Sequence, residues 1–190
     1  MPKAPDTQSK GLSVRVILNE AWSLVEEKGV NGLSTRALAA RLNVKSPALY
    51  WHIKNKDELL SLMLEQILTQ SLDFEATDMS WDDWARAMCH AQHDAFLAHR
   101  DSGRIATIAM PSTRVQQELL PRMYEPFMRA GLDKQSAVAS AAMMITFVLG
   151  WVIYEQRGDS SELIKTLVDP DAAFNQGVEM FISGVKNFLE

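Results

Sequence analysis

A single cysteine, Cys89, in 190 residues leaves no internal disulfide and no multi-cysteine zinc site. That thiol usage suits a reducing cytoplasm. Sustained period-two alternation of β-branched residues is also missing, so the chain reads as all-α. The opening residues, MPKAPDTQSKG, lack the apolar stretch of a secretory leader, and residues 1–12 read as a flexible polar arm. There is no glycine-rich phosphate loop, no G-x-S-x-G and no H-E-x-x-H, so no motif points to an enzyme.

Acid is absent from one long stretch. Lys28 to Lys56 holds six basic residues (Lys28, Arg36, Arg41, Lys45, Lys54, Lys56) and no Asp or Glu. Residues 1–70 carry nine Lys and Arg against seven acids, whereas residues 71–190 carry ten against seventeen. A basic patch on a chain of net charge −5 suggests a local polyanion contact; a solvated face with clustered charge is the plainer alternative. With 47% apolar and 23% charged residues, the chain has room for a small module fused to a larger one.

The helix punctuation is legible. Ser13 caps a helix to Lys28, closed by Gly29, and Ser34 caps a short helix from Thr35 to Leu42. Asn43 tolerates the left-handed turn that follows, and Ser46-Pro47 opens a helix ending near His52, with Ser46 as cap. Asp57 or Glu58 starts a connecting helix to Ser71. Further helices read as Ser80 to His99, Arg104 to Ala109, Thr113 to Ala130 (interrupted by Pro121 and Pro126), Lys134 to Arg157 and Asp171 to Phe188. FEATDMS and Gly158–Ser161 read as linkers. The domains are then 13–56, a three-helix head, and 57–190, a connecting helix with a larger acidic body.

Two short helices joined by a tight turn match a DNA-binding helix-turn-helix. At about 100° per residue, Leu49 and Ile53 share the inner face of the second helix and meet Leu38 and Leu42. Trp51 then lies about 200° from Leu49, beside Pro47 and Ala48 and edged by Tyr50 and His52. Such a surface suits a major groove: small apolar groups touch thymine methyls, and Ser46 bonds a base edge or phosphate. Lys45, Lys54, Lys56, Tyr50 and His52 flank it for the backbone, while Thr35 and Arg36 suit phosphate and base contact. The alternative buries Trp51 against the connecting helix.

The run LSTRALAARLNVKSPALYWHIKNKDELL, Leu33 to Leu60, resembles the DNA-binding head of the tetracycline-repressor (TetR) family of bacterial regulators, and LYWHIKNK is especially close to the tetracycline repressors within it. The strong likeness covers about the first 65 residues. It implies DNA contacts for Thr35, Arg36, Pro47, Tyr50, Trp51, His52 and Lys56. Ser46 and Ala48 stand where the family pattern has Gln and Thr, which implies a different half-site. LAHRDSGRI and FVLGWVIYEQ echo the family's body, implying a helical effector domain whose last long helices pair two copies about a two-fold axis.

The body's own residues agree. Trp81, Trp84, Ala85, Met88, Ala91, Ala95 and Phe96 form one stripe with Gln92 inside it, where an amide orients a ligand or simply bonds the backbone. Met88, Met110, Met123, Met143 and Met144 suit an adaptable cavity wall, or plain core. The candidate effector contacts are Trp84, Met88, Gln92, Met110, Phe147 and Trp151. His90 and His93 lie off the stripe at metal-sharing spacing without a third ligand fixed by spacing, and no metal or cofactor is expected. Ala137, Ala141 and Ala142 offer a surface for close helix approach. Ala137 to Tyr154, 18 residues without a charge, reads as a helix buried between helices or subunits, the alternative being a membrane span.

By the resemblance, the positions of the family's magnesium-binding His and drug-contacting Asn fall on Ala106 and Met88, which argues against a metal–tetracycline chelate. A flatter hydrophobic or cationic compound fits Trp81, Trp84, Trp151 and Tyr154 better. The expected function is a cytoplasmic homodimeric repressor of a palindromic double-stranded DNA operator, released by a small molecule and with no membrane partner. Rival readings are an activator or protein-responsive regulator, and a small helical carrier or enzyme.

Overall fold

Side-chain caps set most helix ends in the computed structural model, which describes residues 11–74, 78–157, 162 and 165–189. Nearly all of the polar arm, residues 75–77 of the FEATDMS linker and the Gly158–Ser161 loop lie outside the described residues. The elements are α1 (Val14–Gly32), α2 (Thr35–Arg41), α3 (Ser46–Tyr50), α4 (Lys56–Ser71), α5 (Trp81–Leu97), α6 (Ser102–Ile108), α7 (Leu120–Arg129, entered through a π-helical turn Val115–Leu119), α8 (Lys134–Gln156) and α9 (Pro170–Lys186). Among the described residues there is no strand. Ser13 accepts from Val16 N–H (3.3 Å), Ser34 from Ala37 (3.1 Å), Asn55 from Glu58 (2.8 Å) and Ser80 from Asp83 (3.3 Å). Asp133 and Asp169 each accept two N–H groups at the starts of α8 and α9. Each such cap contributes about 1 kcal/mol.

Several boundaries differ from the sequence reading, each for a local reason. Gly29 does break α1, at φ 69, but helical turns resume to Gly32 because Val30 and Leu33 are drawn into the core. Lys45, not Ser46, occupies the cap position of α3, and it makes no side-chain cap bond. Asn55 caps α4 at Lys56, a residue earlier than expected. Asp101 adopts a left-handed φ of 57, so α6 starts at Ser102 instead of Arg104. Pro121 and Pro126 do not interrupt α7. Leu120 N–H reaches back five residues to Val115, so the register has already slipped before Pro121, which has no N–H to offer.

The head consists of α1 to α3, and α4 joins it to the body by packing on α1, α5 and α6. A second connection runs through the corner between α5 and α6. Asp101 Oδ2 accepts Val30 N–H at 2.8 Å, Arg100 N–H donates to Glu26 Oε1 (2.8 Å), and an Arg104 guanidinium N–H reaches Asn31 Oδ1 (3.0 Å). Trp22 stacks on His99 at 4.0 Å between ring centres, and its indole N–H donates to Gln66. Burial, only partly opposed by nearby Glu26, lowers the His99 pKa, so the stacked ring is held toward its neutral form.

The body packs α5 against α4, α7, α8 and α9. Helix α8 is the one helix among the described residues long and apolar enough to cross a membrane, yet only 28% of its apolar window is buried within this chain. Its buried residues, Ala137, Ala141, Met144, Val148 and Val152, form a single stripe. Ala142 faces outward and does not share the inner close-approach surface expected of it, because it falls about 100° round the helix from Ala141.

Cys89 is fully buried on α5, and burial pushes its thiol up to about 12. A thiol so desolvated presents almost no thiolate. The native protein is expected to be inert to Ellman's reagent at pH 8 and to release one equivalent only on unfolding in guanidinium. Rapid reaction of the native form would show that α5 opens readily.

Candidate nucleic-acid interface

Helix α3 is short, and its two apolar residues decide its orientation. Leu49 and the following Ile53 are fully buried, along with Leu38 of α2. The N–H groups of His52 and Ile53 both return to Leu49 O, at 2.9 and 3.0 Å, so the helical direction persists just past Tyr50. With Leu49 fixed inward, Trp51 is thrown out and is 88% exposed. Burying an indole of this size is strongly favourable, so an almost naked one needs a reason outside the protomer. Burial of Trp51 against the connecting helix, the alternative from sequence, does not occur.

The neighbouring candidates divide by exposure. Lys45, Ser46, Pro47 and Tyr50 are exposed, Ala48 and His52 half-buried; on α2, Arg36 is exposed and Thr35 half-buried. Lys54 is exposed, and its backbone N–H is held by the Glu58 carboxylate at 2.6 Å. Lys56 is half-buried with its ammonium 3.4 Å from Val30 O, so it braces α4 on the last turn of α1. Arg41 is neutralised by acids from α1 that lie outside the acid-free stretch. It bonds Glu20 and Glu27 at 2.7 Å each, and these bonds, Glu20's foremost, raise its pKa. Within the acid-free stretch, the exposed cations without an acid partner among the described residues are therefore Lys28, Arg36, Lys45 and Lys54.

The six candidate effector contacts do not form one group. Trp84, Met88 and Gln92 are buried on α5 toward α7, where Trp84 meets Phe127 edge-on at 5.7 Å and Gln92 lies 3.9 Å from the Met123 sulfur. Phe147 and Trp151 on α8 pack instead on Phe174 of α9, at 5.5 and 6.1 Å, and the Trp151 indole N–H is buried without a partner. Met110 belongs to neither. It is 73% exposed, because its carbonyl is tied to Ser61 on α4 and Pro111 follows it. His93 corrects the sequence reading: it is buried, stacked on Phe174 at 4.4 Å, with Nε2 2.7 Å from Glu155. Helix α9 covers a second face of α5 there, which periodicity in α5 alone did not show. His90 is exposed, and the described residues contain no cluster of three metal-ligating side chains.

The α5–α6 corner, residues 99–104, was missed as a functional element. Its only sequence signal was the LAHRDSGRI string, whose charges look like an ordinary solvated turn until Glu26, Val30 and Asn31 are brought to them.

Comparison with known proteins finds matches along most of the chain. Residues 17–63 match the family described as "Bacterial regulatory proteins, tetR family", and residues 75–163 match "Tetracyclin repressor-like, C-terminal domain". The chain is 32% identical over 196 residues to the tetracycline repressor protein class A from transposon 1721 of Escherichia coli, covering 92% of this chain and 90% of that one. A TetR variant from Acinetobacter baumannii AYE, solved in complex with minocycline, superposes with a TM-score of 0.79 at 30% identity over 94% of this chain and 99% of that one. ActR of Streptomyces coelicolor, solved with (S)-DNPA, gives a TM-score of 0.80 at 25% identity over 98% and 100%.

Proposed function

Because this chain belongs to the tetR family of bacterial regulatory proteins, we propose that it is a cytoplasmic, ligand-responsive repressor acting as a homodimer on a palindromic operator. Residues 13–56 form the reading head, and 57–190 the connecting helix with the effector-binding and dimerising body. The carrying observation is Trp51, 88% exposed about half a turn from each of the fully buried pair Leu49 and Ile53. Pro47, Ala48 and Trp51 meet base edges and thymine methyls, with Ser46 beside them, and Arg36 reads a purine edge. Thr35, Lys45, Tyr50 and His52 hold phosphates, and Lys56 sets the angle of α4 as well as the local charge.

The effector binds among Trp84, Met88 and Gln92, with Phe147 and Trp151 forming a second wall. Met110 drops out, since its exposed side chain has no wall to share. Ala106 and Met88 supply neither an imidazole nor an amide, so a small hydrophobic or amphipathic effector without a metal is the fitting class. The effector shifts the heads only by its difference in affinity for two arrangements. Both α4 and the 99–104 corner transmit that difference to α1.

Gel shifts on the DNA upstream of the coding region, over a salt series, test the operator reading. Two protomers bring two copies of each lysine, so Lys45→Ala is expected to make the slope of log K against log salt shallower by about 2, with little change in base preference. An unchanged slope removes Lys45 from the interface. Absence of sequence-specific binding at any salt defeats the repressor reading itself.

A further inference from the structure

Four polar side chains are classed as buried among the described residues: Ser71, Gln92, His93 and Ser102. Three have oxygen partners. Ser71 bonds Leu68 O, Ser102 bonds Phe96 O, and His93 bonds Glu155. Gln92 does not: it is 1% exposed, its carbonyl oxygen has no partner, and its amide nitrogen meets only the Met123 sulfur at 3.9 Å. A thioether is a weak acceptor, so both halves of this carboxamide are left wanting. A buried amide without partners is destabilising, and glutamine is rarely retained so deep without one.

Resting on the effector-responsive reading above, we infer that Gln92 is the polar anchor of the effector site and that the effector is a neutral, flat molecule with adjacent donor and acceptor, such as a lactam. A cis-amide is the complement of a carboxamide: its N–H donates to Gln92 Oε1 while its C=O accepts from Nε2. Neutrality follows from the surroundings. Along the buried stripe of α5, Gln92 has Met88 one turn before it and Phe96 one turn after it, with Met123 opposite, and none of these pairs a charge. The part-buried His93–Glu155 pair, between α5 and α8, lies on the next face of α5, where His93 also stacks on Phe174 of α9. Flatness follows from the aromatic wall one or two turns along, where Trp84 and Phe127 meet edge-on. Met88 and Met123 are unbranched and can repack to admit a planar ring.

The probes are quinolin-2(1H)-one, its N-methyl derivative, which lacks the donor, and naphthalene, which lacks both groups. Binding to the full-length dimer is followed by isothermal titration, and operator release by gel shift. Losing one of the two hydrogen bonds and leaving the buried Gln92 Oε1 unpaired predicts that the lactam binds about tenfold or more tighter than the N-methyl compound. Gln92→Leu is expected to erase that preference, bind naphthalene at least as well as the wild type, and raise the melting temperature. The idea is overturned if the wild type does not bind the lactam, does not discriminate between the lactam and its N-methyl form, or if the Gln92→Leu protein still does. Failure of the lactam with operator binding intact removes only this inference, whereas failure of wild type and variant alike to bind any operator removes the repressor reading on which it rests.

Discussion

Trp51→Ala is expected to weaken operator binding by at least about 30-fold while leaving the free protein as stable as before. Good side-chain contacts to base edges are worth about 1–3 kcal/mol each. A two-fold dimer loses the contact twice, so about 2–6 kcal/mol disappears. Stability is untouched because the indole is 88% exposed and therefore contributes little packing to the head. Surface changes of this kind stay within about 0.5 kcal/mol. Trp22→Ala supplies the opposite profile. Trp22 is buried, stacked on His99 and bonded to Gln66, so its loss is expected to cost about 3–5 kcal/mol of stability. Paired thermal melts and gel shifts separate the two. If Trp51→Ala melts early and binds DNA normally once folded, the outward assignment of α3 is wrong. A chain whose two tryptophans behave identically would carry no reading helix at all.

That assignment was available from sequence because everything it needs is local. Leu49 and Ile53 sit one turn apart, and the caps of α2 and α4 fix the ends of the neighbouring helices. Once one face of a five-residue helix is fixed inward, the residue 200° away has nowhere else to go. Most of the misplaced side chains depend on partners far along the chain. His93 looked solvent-facing because α5 reads as a one-stripe helix until α9 lays Phe174 over its flank. Arg41 counted toward the acid-free basic stretch until Glu20 and Glu27 reached it from α1. Met110 looked like cavity lining because methionine is apolar, whereas Ser61 fixes its backbone and leaves the side chain in solvent. The 99–104 corner was unreadable for a related reason. Nothing in the sequence says that Asp101 turns left-handed and offers its carboxylate to Val30.

Gly184→Arg is expected to convert the dimer to a folded monomer and to reduce operator affinity by about 10²–10⁴-fold. Helices α8 and α9 leave between them an apolar groove of about 430 Å³, whose lining includes Ala139, Met143, Met180, Gly184 and Phe188. Met143, Met180 and Phe188 are each more than three-fifths exposed in the single chain, a patch of a kind soluble monomers seldom leave open. The buried stripe of α8 faces the other way, so this outer face is free for a second copy about a two-fold axis. Nothing lies within 4 Å of a Cβ built on Gly184, so the protomer itself accommodates a side chain there. In the dimer the same position sets two arginines into a shared apolar contact, where each charge loses its water and gains no partner. A monomer keeps one reading helix and loses the gain in effective concentration that links the two half-sites. Sedimentation equilibrium and gel shift on the same preparation check both halves, and circular dichroism verifies that the variant is folded. A Gly184→Arg protein that remains dimeric with full operator affinity would show that the copies meet on another face. The exposed methionines of α8 and α9 would then still lack the partner that their exposure requires.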